Sequence, residues 1–397
     1  MSGASVAGPV VAYWLARRGH AVTVVERASV FRRAGGHAVD LFRPAMDIMD
    51  RMGVAKQVEA LATGTDYVML TREGAARAVH IDLTKALPAV SDRHVEIMRD
   101  DLSETLYAAT AGDVEYVFGD SITSISSDGD VSFEHGEPRR FDVVVGADGL
   151  HSNVRRLVFG EESDYSRFLG AYLAVASLPK ALSVDRRMLV HAGAGRTAAL
   201  YSAQHLADAR ALFLFRANMP LEYDHRDTGR QKELLRAALA GLAPEADAWL
   251  GELDTTPAFY FDSITQLTMD TWSRGRVTLV GDAGFCPGPV VGGSTSLAVV
   301  SAYTLAEELA RADGDHVRAF AAYERAIGEY VRASRAFALR AARTVVPATG
   351  LQVWAVVTGV RLVSRMPPPL ARAFTALGLR GVRVHESVVL PDYPAAG

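Results

Sequence analysis

Three apolar runs in this chain each break into a turn of glycine beside a small or acidic residue. Their order constrains the fold more than any other feature. The first is the opening, "MSGASVAGPVVAYWLARRGHAVTVVER". Residues 9–19 carry helical apolar spacing and stop at Gly19, and "AVTVVE" at 21–26 reads as a buried strand. A dinucleotide site needs a strand, a tight glycine turn, a helix N-terminus facing the pyrophosphate and an acid ending the next strand. Gly3 supplies the turn and Gly8 lets helix and strand pack closely. Ser5 stands where a second glycine usually lets the backbone approach phosphate. Glu26 follows Gly8 by 18 residues, near the spacing of a carboxylate that binds ribose hydroxyls. The plainer account of Gly3, Ser5 and Gly8 alone is a helix start with small residues; the strand and Glu26 favour nucleotide binding. Only two residues precede Gly3, so the strand that presents the loop is expected upstream of the sequence given. The pattern is neither a G-x-S-x-G elbow nor a P-loop, since Ala stands at position 7 and no Lys follows.

The second turn is "GADGLHSNVR" at 146–155, where Asp148 follows the strand-like run "FDVVVG". An acid there either caps the next helix or meets the phosphate and ribose region of a cofactor. The third is "GDAGFCPGPVVGGSTSLAVV" at 281–300. Asp282 ends a strand and is placed to accept hydrogen bonds from a polyol chain. The Gly/Pro loop then enters a helix capped by Ser294 or Thr295, whose free N–H groups and dipole favour an anionic ring system.

Between the second and third turns the character changes. "RRMLVHA", "TAALYSA" and "ALFLFRA" are strand-like runs without clear intervening helices. They predict an antiparallel sheet inserted into an α/β framework. Helices are expected over 44–53, 100–110, 229–241, 294–312 and 316–342, and beyond that a helical C-terminus broken at "MPPP", 366–369. The division expected is 1–164 and 271–330 for the nucleotide-binding part, 165–270 for the inserted sheet and 331–397 for C-terminal helices.

Bulk properties exclude other classes. At 397 residues, 49% hydrophobic, with net charge −4, the chain has no electrostatic footprint for nucleic acid or anionic lipid. A single cysteine, Cys286, leaves no internal disulfide or cysteine metal cluster, and a reducing, cytoplasmic setting is expected, with no secretion signal at the start. The uncharged run Val345–Val360 is interrupted by Pro347, Gly350, Gln352 and Gly359 and is too short to span a membrane. It is expected to be a buried or dimer-forming helix.

Taken together, the three turns resemble the FAD-dependent aromatic-hydroxylase family, single-component flavin monooxygenases with a para-hydroxybenzoate-hydroxylase-like fold. "RDDL" at 99–102 resembles the family's flavin-contacting arginine followed by a helix. The resemblance runs to about residue 330. It implies an FAD-binding Rossmann-like (GR2-type) domain with an inserted antiparallel substrate sheet and C-terminal helices. It also implies one noncovalent FAD, with NADPH or NADH as a transient donor. By this resemblance Gly3, Ser5 and Gly8 meet the pyrophosphate, Glu26 holds the adenosine ribose and Arg27 covers the adenine. Arg43 and Arg99 lie beside the flavin and its phosphates. Asp148 serves the FAD pyrophosphate and the nicotinamide donor, Asp282 binds ribitol, and Pro287, Gly292, Gly293, Ser294 and Thr295 sit by the isoalloxazine. Ser5, Phe285 and Ser294 depart from the family's usual Gly, His and Gly.

The implied reaction inserts one atom of O2 into an aromatic or polycyclic small molecule through a flavin C4a-hydroperoxide. Tyr172, His191, Tyr201, Phe213 and Phe215 are the candidate pocket walls, with His191 the one candidate base; each is also readable as plain core. The chain is expected to act as a monomer or homodimer. Two alternatives stay open: a flavin dehydrogenase or reductase on the same fold, and a degenerate homologue that only binds a ligand.

Overall fold

The computed structural model describes residues 1–31, 35–89, 91–289, 293–366, 370, 383–386 and 388–390. Thr23–Glu26 pairs in parallel with Glu115–Phe118, and Val144–Gly146 pairs in parallel with Val277–Leu279. Met1–Gly3 run between these two pairs. Ser2 bridges both Val25 and Gly146, with Ser2 N–H donating to Val145 O at 2.9 Å and Gly3 N–H to Val25 O at 2.8 Å. The place expected for the presenting strand is thus filled by the first three residues themselves.

The helix Ala7–Arg17 leaves this layer with Val10, Val11 and Trp14 buried. It packs on Ser294–Arg311, Trp14 meeting the Tyr303 ring edge-on at 4.9 Å. Ser294–Arg311 in turn packs on the long helix His316–Val345. The helices expected over 44–53, 100–110 and 229–241 are Arg43–Arg51, Arg99–Ala108 and Thr228–Leu239.

The inserted sheet has seven strands in the order Phe259–Leu267, Ser166–Pro179, Asp208–Arg216, Arg196–Tyr201, Arg187–Gly193, Tyr67–Arg72, Val79–Asp82. It is antiparallel except where Arg187–Gly193 runs parallel to Tyr67–Arg72. Its last two strands come from far earlier in the chain.

Alternation along these strands decides what each face can do. Tyr172, Phe213 and Phe215 point outward into a core with Leu235, Leu239 and Trp249 from the helices Thr228–Leu239 and Pro244–Gly251. Tyr172 stacks on Phe215 and on Phe261, each at 5.4 Å, and accepts the Leu221 N–H at 2.6 Å. His191 lies against Trp249 at 5.4 Å, and burial lowers its pKa. These four residues therefore lie on the sheet's far side, packed in its core or against it, and off the lining of the cavity where the three turns meet. The opposite face carries Leu173, Val175, Leu214 and Ile264 toward Val346. From that side the Tyr201 hydroxyl oxygen accepts the Ala38 N–H at 2.8 Å.

The helix Gly350–Ser364 lays Val353 and Val357 on Val79 and Ala192. Among the described residues no helix is long and apolar enough to cross a membrane. Of the expected break at 366–369, residues 367–369 lie outside the described residues.

Candidate FAD site

The three turns meet at one cavity of about 390 Å³. Its lining includes Gly3, Ser5, Glu26 and Arg27 from the first turn, Asp148 and His151 from the second, and Asp282, Ser294 and Thr295 from the third, with Arg99 between them.

The first turn is shaped by contact. Gly3 has φ of +104°, and a Cβ on Gly8 would lie 2.0 Å from the Gly3 carbonyl oxygen, so helix and loop close only around glycine. The helix Ala7–Arg17 begins without a side-chain cap, leaving its positive end to the cavity. Glu26 accepts the Ala4 N–H at 3.0 Å and the Ala28 N–H at 2.9 Å, which fixes its carboxylate at the cavity wall. Ser5 is exposed at the mouth, its hydroxyl 3.1 Å from that of Ser103.

Asp148 has two duties. Its carboxylate accepts the Asn153 and Val154 N–H groups at 3.0 and 3.1 Å, in the first turn of the helix Asn153–Val158, and takes the Ser2 and Ser152 hydroxyls. The helix's N-cap is Ser152, whose hydroxyl accepts the Arg155 N–H at 3.0 Å, and Asp148 adds acceptors for the first turn while its carboxylate also lines the cavity. Burial pushes its pKa up, against these hydrogen bonds. Asp282 is likewise pushed up by burial, while the Arg99 guanidinium pulls the other way. Arg99 opens the helix Arg99–Ala108, its N–H held by His37 O at 3.0 Å and its side chain 40% exposed.

Arg43 departs from expectation. It pairs with Asp92 and Glu386 and does not line the cavity, because it starts the next helix, Arg43–Arg51, beyond the strand Ala38–Leu41. Pro287 and Gly293 are buried and off the lining, Pro287 O accepting from Gln266 Nε2 at 3.0 Å. Gly292 lies outside the described residues.

Sequence reasoning missed a group on the wall formed by His151 and Tyr260. His151 Nε2 meets Asp262 at 2.8 Å and its Nδ1 meets Glu162 at 3.1 Å. Tyr260 donates to the same Asp262 oxygen at 2.8 Å. The two carboxylates raise His151 from 6.5 to about 10, so it stands as an imidazolium that ties the Asp148 turn to the sheet. His151 lies inside "GADGLHSNVR"; the signal was present, but its partner 111 residues away was not.

The donor set suits FAD: an uncapped helix end and arginines for phosphate, Glu26 and Asp282 for hydroxyl chains, and a second helix end at Ser294 for the ring. A parallel nucleotide-binding layer joined to an inserted sheet at such a cavity marks a flavoprotein. The chain belongs to the family of FAD-dependent monooxygenases: residues 2–341 match the family model described as "FAD binding domain".

It is 43% identical over 334 residues to the uncharacterized protein Rv1260 of Mycobacterium tuberculosis, covering 81% of this chain and 87% of that one. It is 36% identical over 339 residues to a flavin-dependent monooxygenase of Legionella longbeachae, covering 84% and 86%. Among solved structures, tetracycline destructase Tet(51) superposes with a TM-score of 0.82 at 31% identity, covering 99% of this chain and 98% of that one.

Proposed function

We propose that this protein is a single-component monooxygenase that uses FAD and NADPH or NADH to insert one atom of O2 into a phenolic or polycyclic small molecule. The observation that carries this reading is the meeting of all three glycine–acid turns at one cavity. The tetracycline destructase likeness supports a polycyclic substrate class. In this reading 1–164, apart from the sheet strands Tyr67–Arg72 and Val79–Asp82, and 271–330 carry the cofactor, and those two strands with 165–270 face the substrate.

The Gly3–Gly8 loop and the start of Ala7–Arg17 hold the pyrophosphate, Glu26 the adenosine ribose and Arg27 the adenine. Asp282 holds the ribitol chain. Arg99 and the N-terminus of Ser294–Arg311, flanked by Pro287 and Gly293, stabilise negative charge on the ring. FAD, when bound, supplies two-electron storage and oxygen activation. Asp148 orders the turn on which the nicotinamide donor docks. The inner face of the sheet, with Leu173, Val175, Tyr201 and Leu214, keeps water from the substrate.

The test is turnover under 18O2 by FAD-saturated protein with NADPH or NADH and a panel of polycyclic phenols. One 18O atom in the product is expected. Steady hydrogen peroxide without labelled product would establish the dehydrogenase or reductase reading instead. Absence of any FAD uptake would establish the ligand-binding homologue.

A further inference from the structure

The helix Gly350–Ser364 is held at its start and along its inner face. Pro347 O accepts the Gly195 N–H at 2.7 Å and Val346 O accepts from Arg216 Nη1 at 3.0 Å, which pins the approach to the helix onto the inserted sheet. Thr349 Oγ1 takes the Gln352 N–H at 3.2 Å, and Gln352 Oε1 takes the Ala348 N–H at 2.8 Å, a reciprocal cap. Val353 and Val357 then pack on Val79 and Ala192.

The outer side of this helix is apolar as well. Leu351, Ala355 and Leu362 recur at i, i+4 and i+11, one stripe along about 16 Å of helix. Leu351 is 74% exposed and Leu362 59%, and Trp354 beside them is 52% exposed. A helix apolar on every side ordinarily sits inside a core. This one has half of its apolar surface facing outward, on a firmly docked frame.

Charge constrains what covers that face. Trp354, Arg361 and Arg365 recur at i, i+7 and i+11 and flank the stripe. Both arginines are exposed, and among the described residues neither has an ion-pair partner. Acids beside the strands under the helix are engaged elsewhere: Asp66 with Arg186, Glu73 with Arg196 and Asp82 with Lys85. The sequence extends the bias. From Tyr330 to His385 it holds nine arginines and no aspartate, glutamate or lysine, a local excess that the net charge of −4 conceals.

A second copy of the chain would bring the same arginines to the contact and no acid to meet them. Nucleic acid would leave the leucines facing water. An anionic bilayer meets both demands: acyl chains take the apolar stripe, headgroups take the guanidinium groups, and an indole suits the boundary between them. At 15 residues the helix is too short to cross the hydrocarbon and lies along its surface.

We propose that the outer face of Gly350–Ser364, with Leu351, Trp354 and Leu362 for the acyl boundary and Arg361 and Arg365 for the headgroups, docks this protein on an anionic lipid bilayer. The proposal stands independently of the FAD reading.

The test is sedimentation of the full chain with vesicles of phosphatidylglycerol and phosphatidylcholine, against phosphatidylcholine alone, at low and high salt. Binding is expected to the anionic vesicles only, and to weaken with salt. Arg361→Gln with Arg365→Gln is expected to weaken it about thirtyfold. Leu351→Ser with Leu362→Ser is expected to abolish it. All four side chains are exposed, so both double variants should melt as wild type does. A readout on the wild type decides even where a variant fails to fold. Trp14, Trp249 and Trp272 are 7%, 2% and 6% exposed, so emission that shifts to the blue with anionic vesicles, and is quenched by brominated acyl chains, reports Trp354. Wild type that ignores anionic vesicles overturns the proposal, as does equal binding to neutral ones or binding that leaves the emission unquenched. A wild-type dimer that Leu351→Ser with Leu362→Ser makes monomeric, with no vesicle binding, assigns the face to a second copy instead.

Discussion

Two single residues give sharp expectations. Asp282 offers a charged acceptor at the cavity wall. Asp282→Ala removes hydrogen bonds to a charged group, each about 1.5–3 kcal/mol, which is about ten- to hundredfold in FAD affinity. Equilibrium dialysis of the variant reads this directly, and wild-type retention would exclude Asp282 from the site. His151 makes stability depend on pH. Its pKa is raised on folding from 6.5 to about 10 by Asp262 and Glu162. The stabilisation is therefore complete below pH 6.5 and declines as pH rises toward 10. Because half the His151 side chain meets solvent, the effect is screened. The melting temperature of wild type should fall from pH 7 to 10 more steeply than that of His151→Gln.

At the scale of elements, the faces of the inserted sheet separate structure from site. Phe213 is fully buried on the far side. Phe213→Ala should cost about 3–5 kcal/mol of stability with no change in FAD bound per folded molecule. Tyr201 is on the near side, and Tyr201→Phe leaves the Ala38 N–H without its acceptor at a cost of about 1–3 kcal/mol. Thermal melts with flavin stoichiometry distinguish the two. This is also where the sequence stops being informative. Glycine turns and helix starts were legible because their chemistry is local: Gly3, Glu26, Asp148 and Asp282 all line the cavity, and Gly8 packs against the Gly3 carbonyl behind it. Which side of a strand faces the cofactor was not, since both faces of the sheet are buried and the apolar pattern lacks a polar side to orient it. Tyr172 and Tyr201 look alike in sequence and point opposite ways. Pairing of Tyr67–Arg72 with Arg187–Gly193 and of His151 with Asp262 depends on contacts more than 100 residues apart, which no local spacing encodes.

The whole molecule holds two large cores. One lies under the parallel layer and contains Trp14 and Trp272; the other lies beyond the inserted sheet and contains Trp249. The halves meet through an apolar contact of the sheet with Val346 and through polar contacts: His151 to Asp262, His205 to Asp101 at 2.7 Å, Arg210 Nε to Gly36 O at 3.0 Å, and Gln266 to Pro287 O. Polar contacts contribute less to cooperativity than a shared apolar core, since each exchanges for water at small net gain. The FAD cavity draws almost all its lining from the first half. Ligand at a hundredfold over its dissociation constant stabilises the unit that binds it by about 2.7 kcal/mol. In urea, single-tryptophan proteins keeping Trp14 or Trp272 should therefore report a transition that FAD shifts upward by that amount, while one keeping Trp249 shifts less. Coincident transitions, moved equally by FAD, would mean that the polar seam couples the two cores into one cooperative unit.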